Sequence, residues 1–201
     1  MNILTERPPT SVKIGASVYD INTDFRVGVE FELMVEAGEE NTSKLISPFY
    51  FHSLPLDIEG AIDAALWFYR CGNEATTGNG GSNKQSYSFA VDAEAIYSDF
   101  SCYYNIDLAC SELHWWTFRA LLMGLPEDSN FKKRVYYRTC NLKKLPKSER
   151  ERISKIRNQI EIKTKTKTGG KLSLIERNSK MLEYVAKRSA DAQESEVGIN
   201  G

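Results

Sequence analysis

Leu113-His114-Trp115-Trp116-Thr117-Phe118-Arg119-Ala120-Leu121-Leu122-Met123-Gly124 places two of the chain's three tryptophans side by side. Ser111 offers a capping hydroxyl, and Leu113, Trp116, Phe118, Leu121 and Leu122 recur as apolar positions do on a helix. The stretch therefore predicts a helix from Glu112 to Met123, ended by Gly124, with Pro126 opening the next turn. On that helix Trp116 aligns with Leu113 and Ala120, and Trp115 with Phe118 and Arg119, so the adjacent indoles diverge by about 100°. One is expected to fill a core while the other packs a second element or meets a partner. Aromatics in this arrangement read as the packing core of a helical, non-enzymatic protein and not as an active site.

Working outward toward the N-terminus, Tyr87 to Tyr104 carries a second helical stripe of Phe89, Ala93, Ile96, Tyr97, Phe100 and Tyr104. Asn73 to Gln85 is Gly, Asn, Ser and Thr throughout, too polar to bury apolar area, and reads as a flexible surface loop. It follows a helix and lacks the Lys-Ser/Thr pair of a phosphate-binding loop, so nucleotide binding is set aside. Asp57 to Cys71 is amphipathic, with an acidic start and Gly72 as its stop. Phe25 to Glu36 is ambiguous. Phe25, Val27, Val29, Phe31 and Leu33 alternate as in a strand, whereas Val27, Phe31 and Met34 fit a helix. The capping chemistry of Asn22-Thr23-Asp24 tips the balance toward helix. Before it, Ser11 to Ile21 reads as a β-hairpin around Gly15.

Toward the C-terminus, Phe131 to Arg138 predicts a short helix, and Pro146-Lys147-Ser148-Glu149 opens another that runs to about Ile160. Lys163 to Gly170 is a basic low-complexity linker. Leu172 to Arg188 has apolar positions that could form a helix against a partner, and Asp191 to Gly201 reads as disordered. The expected architecture is a predominantly α-helical α+β domain over residues 1–160. In it a small N-terminal hairpin packs on about five or six helices, and a mobile tail follows over 161–201.

Composition sets further bounds. A hydrophobic fraction of 41% and 19 Phe and Tyr residues suffice for one real core. The opening Met1-Asn2-Ile3-Leu4-Thr5-Glu6-Arg7-Pro8-Pro9 lacks a signal peptide's apolar run, and no window approaches the roughly 20 apolar residues that span a bilayer. Cys71, Cys102, Cys110 and Cys140 are irregularly spaced, as free thiols of a reducing compartment are, so a cytoplasmic location is expected. The net charge of −1 hides a split: residues 1–131 carry 19 acidic and 7 basic side chains, and residues 132–160 carry 2 acidic and 11 basic. Such asymmetry points to contact between parts, between copies or with an outside partner.

Candidate chemistry is sparse. Cys110 and His114 would share a helix face if one helix covered both, and Cys102 and Cys140 would complete a four-ligand zinc site. The spacing matches no standard zinc module, and a structural histidine is the better reading; no cofactor or metal is expected. A thiol enzyme built on the same Cys–His pair has no local signature. The acidic pairs Asp57/Glu59 and Asp92/Glu94 read as solvated helix faces. The basic run Lys132 to Lys171, with Tyr136 and Tyr137 to stack on bases, is a conceivable nucleic-acid site. The strongly acidic remainder favours neutralisation within or between subunits instead.

Several of these stretches resemble one family. They are Asp63-x-x-Leu66-Trp67-Phe68-Tyr69-x-Cys71-Gly72, then Ile96-Tyr97-x-x-Phe100-x-x-x-Tyr104-x-Ile106-Asp107-Leu108, and the run from Leu113 through Trp116 and Phe118 to Asp128. Phe131, Tyr137-Arg138 and Lys147-Ser148-Glu149-Arg150 follow, and Tyr19 to Arg26 resembles the family's opening. The family is the phage "gp-fifteen" family of Gram-positive siphophages and prophages, and the resemblance runs from about Ser11 to Ile160. It is similar to the tail assembly chaperones encoded upstream of the tape-measure protein. The resemblance implies a non-enzymatic role without catalytic residues: binding the aggregation-prone tape measure in the host cytoplasm, with the chain missing from the mature virion. A second tail assembly chaperone and a homo-oligomer are further expected partners, and a membrane is not. The resemblance also implies that Phe25 to Glu36 is a helix, and marks Trp67, Phe68, Tyr104, Asp107, Trp115, Trp116, Phe118 and Arg138 as interaction or signature residues. A structural tail or connector component retained in the virion is the alternative, with nucleic-acid binding through 132–171 behind it.

Overall fold

The computed structural model describes residues 3–73 and 85–162. The order of elements follows the hydrophobic pattern. Strands β1 (Ser11–Ile14) and β2 (Ser17–Asp20) form an antiparallel hairpin. Helices follow: α1 (Phe25–Ala37), α2 (Thr42–Ile46), α3 (Ile58–Tyr69), α4 (Phe89–Tyr104), α5 (Trp115–Met123), α6 (Asn130–Thr139) and α7 (Lys147–Gln159). The protein is thus α+β and predominantly helical with an N-terminal hairpin, the class read from the sequence. Among the described residues no helix is long and apolar enough to cross a membrane. The linker from Lys163, the segment Leu172 to Arg188 and the end of the chain lie outside the described residues, as does 74–84 of the Gly-rich stretch.

In the hairpin, the pairing of Ile14 with Ser17 leaves a two-residue loop. Its first residue, Gly15, has φ +58, which an L side chain tolerates poorly. Val12 and Ile14 of β1 are buried. Ile14 sits so close to α3 that a Cβ on Gly60 would come within 2.6 Å of its Cγ2.

The ambiguous segment is helix α1. Asp24 caps it by accepting from Arg26 N, and Gly38 closes it at φ +83. Phe25, Gly28, Glu32 and Val35, at helical spacing, are all buried, which an alternating strand could not achieve. This helix and α5 begin at one point, although nearly ninety residues separate them in sequence. Asp24 and His114 form an antiparallel bridge, in which Phe25 N donates to Leu113 O at 2.9 Å and Trp115 N to Thr23 O at 2.7 Å. Arg26 then reaches across to the carbonyls of Leu108, Ala109 and Ser111.

The start of α5 differs from the sequence reading. Ser111 is not its cap, and the helix begins at Trp115 instead of Glu112. The N-cap is His114, whose Nδ1 accepts from Trp116 N at 3.0 Å. Leu113 therefore precedes the helix and does not share a stripe with Trp116. Helix α2 also escaped the sequence reading, because five residues are too few for a hydrophobic period to register.

The acidic pair on α4 requires a second correction. Asp92 is fully buried, not solvated. It takes a two-pronged ion pair from Arg138 at 2.6 and 2.8 Å and a third contact from Arg134 at 3.2 Å. Seven residues further along α4, buried Asp99 accepts from Asn130 N and Phe131 N at the start of α6. Seven residues also separate Phe131 from Arg138, so the two acids match two points about 10.5 Å apart on each helix and fix the register of the pair. At the far end, Arg157 of α7 donates to Tyr137 O and Cys140 O, satisfying carbonyls that the end of α6 leaves open.

Two outcomes are expected in denaturant titrations. Gly28→Ala should lower stability by about 1–3 kcal/mol, because its Cβ would lie 2.5 Å from Trp115 ring carbons in a filled core. Asp92→Ala should cost about 3–5 kcal/mol by stranding the buried Arg138 guanidinium, and the double change Asp92→Ala/Arg138→Met should cost less than the single one.

Candidate functional site

The residues marked in the sequence fall into three places. Phe68, Trp115, Trp116 and Phe118 make one aromatic hub and are buried. Trp115 stacks with Tyr69 and Phe118 and meets Phe89 edge-on, with Arg119 over its ring. Trp116 packs against Phe68 and edge-on against Trp67. Each such ring pair adds about 0.5–1.5 kcal/mol beyond the area it buries.

The indoles also do something that spacing alone does not reveal. Trp115 Nε1 donates to Tyr69 O at 2.8 Å, and Trp116 Nε1 donates to Phe68 O at 2.7 Å. Both acceptors are at the end of α3, where helix carbonyls lose their i+4 partners; Phe68 O also accepts from Cys71 N at 2.9 Å. There Cys71, at φ 57, turns the chain left-handed, and Gly72 N donates back to Trp67 O. The two divergent rings thus cap α3 as well as fill the core. Trp67 sits at the rim of the hub, 39% exposed.

The second place is the turn after α4. Asp107 is exposed there, and its Oδ1 accepts from Ala109 N and Tyr97 Oη, bonds that hold its carboxyl below the ordinary range. Tyr104 donates its hydroxyl to Leu121 O at 2.8 Å, tying α4 to α5. The third is Arg138, inside the clamp between α4 and α6.

A buried polar group lies beside the hub. Glu32, on α1, accepts from Tyr69 Oη at 2.7 Å and lies 3.5 Å from Arg119, while its Oε2 has no hydrogen-bond partner among the described residues. Burial raises its pKa above the ordinary value, against the pull of Tyr69 and Arg119. His114 accepts at Nδ1 from Trp116 N, so its Nε2 carries the proton that bonds Pro9 O at 3.0 Å. It is an N-cap that also anchors the N-terminal segment. Cys110 is exposed in the preceding turn, and among the described residues no three His, Cys, Asp or Glu groups are placed to hold a metal.

A surface feature with room for a partner comes from three helices at once, which no single stretch of sequence displays. A cleft of about 390 Å³ opens between α4, α6 and α7. Ala95, Tyr137, Ile156 and Ile160 give it an apolar floor, and Glu94, Lys133 and Arg134 line its edges. The basic run is divided by this arrangement. Arg134 and Arg138 turn inward to Asp92, and Lys132 pairs with Glu127 at 3.8 Å. Lys133, Arg152 and Lys155 are exposed and form no ion pair with a described residue.

Hub, clamp and cleft define a helical protein whose signature residues hold its frame together. The chain belongs to the Bacteriophage Gp15 protein family, which it matches over residues 4–162, and is a bacteriophage protein. No curated protein and no solved structure matches it.

The histidine cap has a pH signature. Burial lowers the His114 pKa, with the Pro9 hydrogen bond opposing. The neutral ring is therefore the folded form: its stabilisation is complete above the unfolded value of about 6.5 and is lost as pH falls through the lowered folded value. Glu32 acts with the opposite sign, its raised pKa favouring the fold as pH falls. The histidine's share is then the difference between wild type and His114→Asn, a cap that does not titrate. That difference should change by up to about 1 kcal/mol between neutral and mildly acidic pH in urea unfolding.

Proposed function

We propose that this protein is a non-enzymatic tail assembly chaperone. In this reading it binds the tape-measure protein in the bacterial host cytoplasm while tail-tube subunits polymerise around that client, and it stays out of the finished virion. Membership in a bacteriophage family supports the setting, and the resemblance to tail assembly chaperones supplies the client. The observation that carries the reading is the cleft between α4, α6 and α7. An apolar floor edged by charge on a frame fixed by buried ion pairs is what a groove for one face of a client helix requires. Such a surface shields an aggregation-prone stripe while the charged edge keeps the complex in solution.

Co-expression is the direct test. The adjacent tape-measure protein should stay in the soluble fraction with this chain present and should co-purify with it. Ile156→Glu, which puts a charge on the cleft floor, should reduce both. Equal solubility of the client without the chain would end the proposal. Mass analysis of purified particles should find the chain missing, and its stoichiometric presence would make it a tail component.

A further inference from the structure

The cleft has a sign as well as a shape. Lys133 stands at its α6 edge. On α7, Arg152 lies one helical turn before Ile156 on the same stripe, and Lys155 shares a stripe with Arg152, both beyond the residues that line the cleft itself. These three side chains are exposed, whereas the inward-facing arginines of α6 are already matched by Asp92. Among the described residues, Lys133 at the cleft edge and Arg152 and Lys155 further along α7 form no ion pair, and the cleft lining carries one carboxylate, Glu94.

We propose that the cleft selects amphipathic helices whose apolar stripe is flanked by carboxylates. Apolar residues at three- and four-residue spacing would seat on Tyr137, Ile156 and Ile160, and Glu or Asp beside them would meet Lys133, Arg152 and Lys155. Charge at such an edge governs which helix is accepted more than how tightly it is held. The inference rests on the chaperone reading and adds to it the chemistry of the client segment.

The test uses the full chain and two synthetic amphipathic peptides of about 20 residues, about 30 Å when helical. They share one leucine stripe and carry either glutamates or lysines on both flanks. Fluorescence anisotropy should show the glutamate peptide binding about tenfold more tightly than the lysine peptide, with the preference lost near 1 M salt, where the screening length is about 3 Å. The triple reversal Lys133→Glu/Arg152→Glu/Lys155→Glu should invert the preference. The neutral triple Lys133→Gln/Arg152→Gln/Lys155→Gln should abolish it, and it keeps the test open if the reversal does not fold. Equal binding of the two peptides, or binding of neither, overturns the inference. So does displacement of the glutamate peptide by single-stranded DNA at equal charge, which would assign the edge to nucleic acid. If either of the first two results is found while co-expression still keeps the tape-measure protein soluble, the inference fails and the chaperone reading stands.

Discussion

Two neighbouring indole N–H groups donate to two consecutive carbonyls at the end of α3, and the rest of the fold is arranged around that junction. A helix end leaves carbonyls without intrahelical partners, and burying them unsatisfied costs about 1–3 kcal/mol each. Trp115 meets this demand at Tyr69 O, and Trp116 adds a second donor to Phe68 O, which Cys71 N also reaches; adjacent positions serve both only because the rings diverge, one passing over Tyr69 and the other over Phe68. That geometry requires α5 to start at a fixed point. The Asp24–His114 bridge and the histidine cap supply it, and the close approach of α1 is possible because residue 28 has no side chain.

This arrangement explains why the stretches that carry the family resemblance are so far apart in sequence. Asp24, Phe25 and Arg26 cap α1, stack on Phe118 and hold the carbonyls of Leu108 to Ser111. Phe68 and Tyr69 provide the acceptors, and the tryptophans provide the donors. Arg138 belongs to a separate device, the clamp that sets α6 on α4. Most of the marked residues thus maintain the frame, and the surface that the frame presents is the cleft bordered by α7.

What could be read in the sequence follows from how local each signal is. The helices α3, α4, α6 and α7 were legible within a few residues because each repeats its apolar positions over several turns. Phe25 to Ala37 was not settled by pattern, since Phe25, Val27, Val29, Phe31 and Leu33 fit a strand equally well; burial of Gly28 and Glu32 decides it. The start of α5 was misplaced because a histidine caps a helix only when its tautomer is fixed, here by Pro9, 105 residues away. Asp92 looked like one of many surface acids because its partner is 46 positions along the chain. The cleft was invisible for the same reason: its floor comes from three helices, and the basic run reads as uniform until pairing separates inward from outward cations.

The junction on α3 can be tested with hydrogen exchange at the three indole N–H groups, followed by NMR under native conditions. Trp67 serves as the internal reference, being partly exposed and without a hydrogen-bond partner for its indole among the described residues. The account predicts that the Trp115 and Trp116 indole protons exchange only through global unfolding, as slowly as the best-protected backbone amides, while Trp67 exchanges through local motion. Exchange of either Trp115 or Trp116 as fast as Trp67 would mean that the junction opens without unfolding the protein, and would contradict the claim that the fold depends on it.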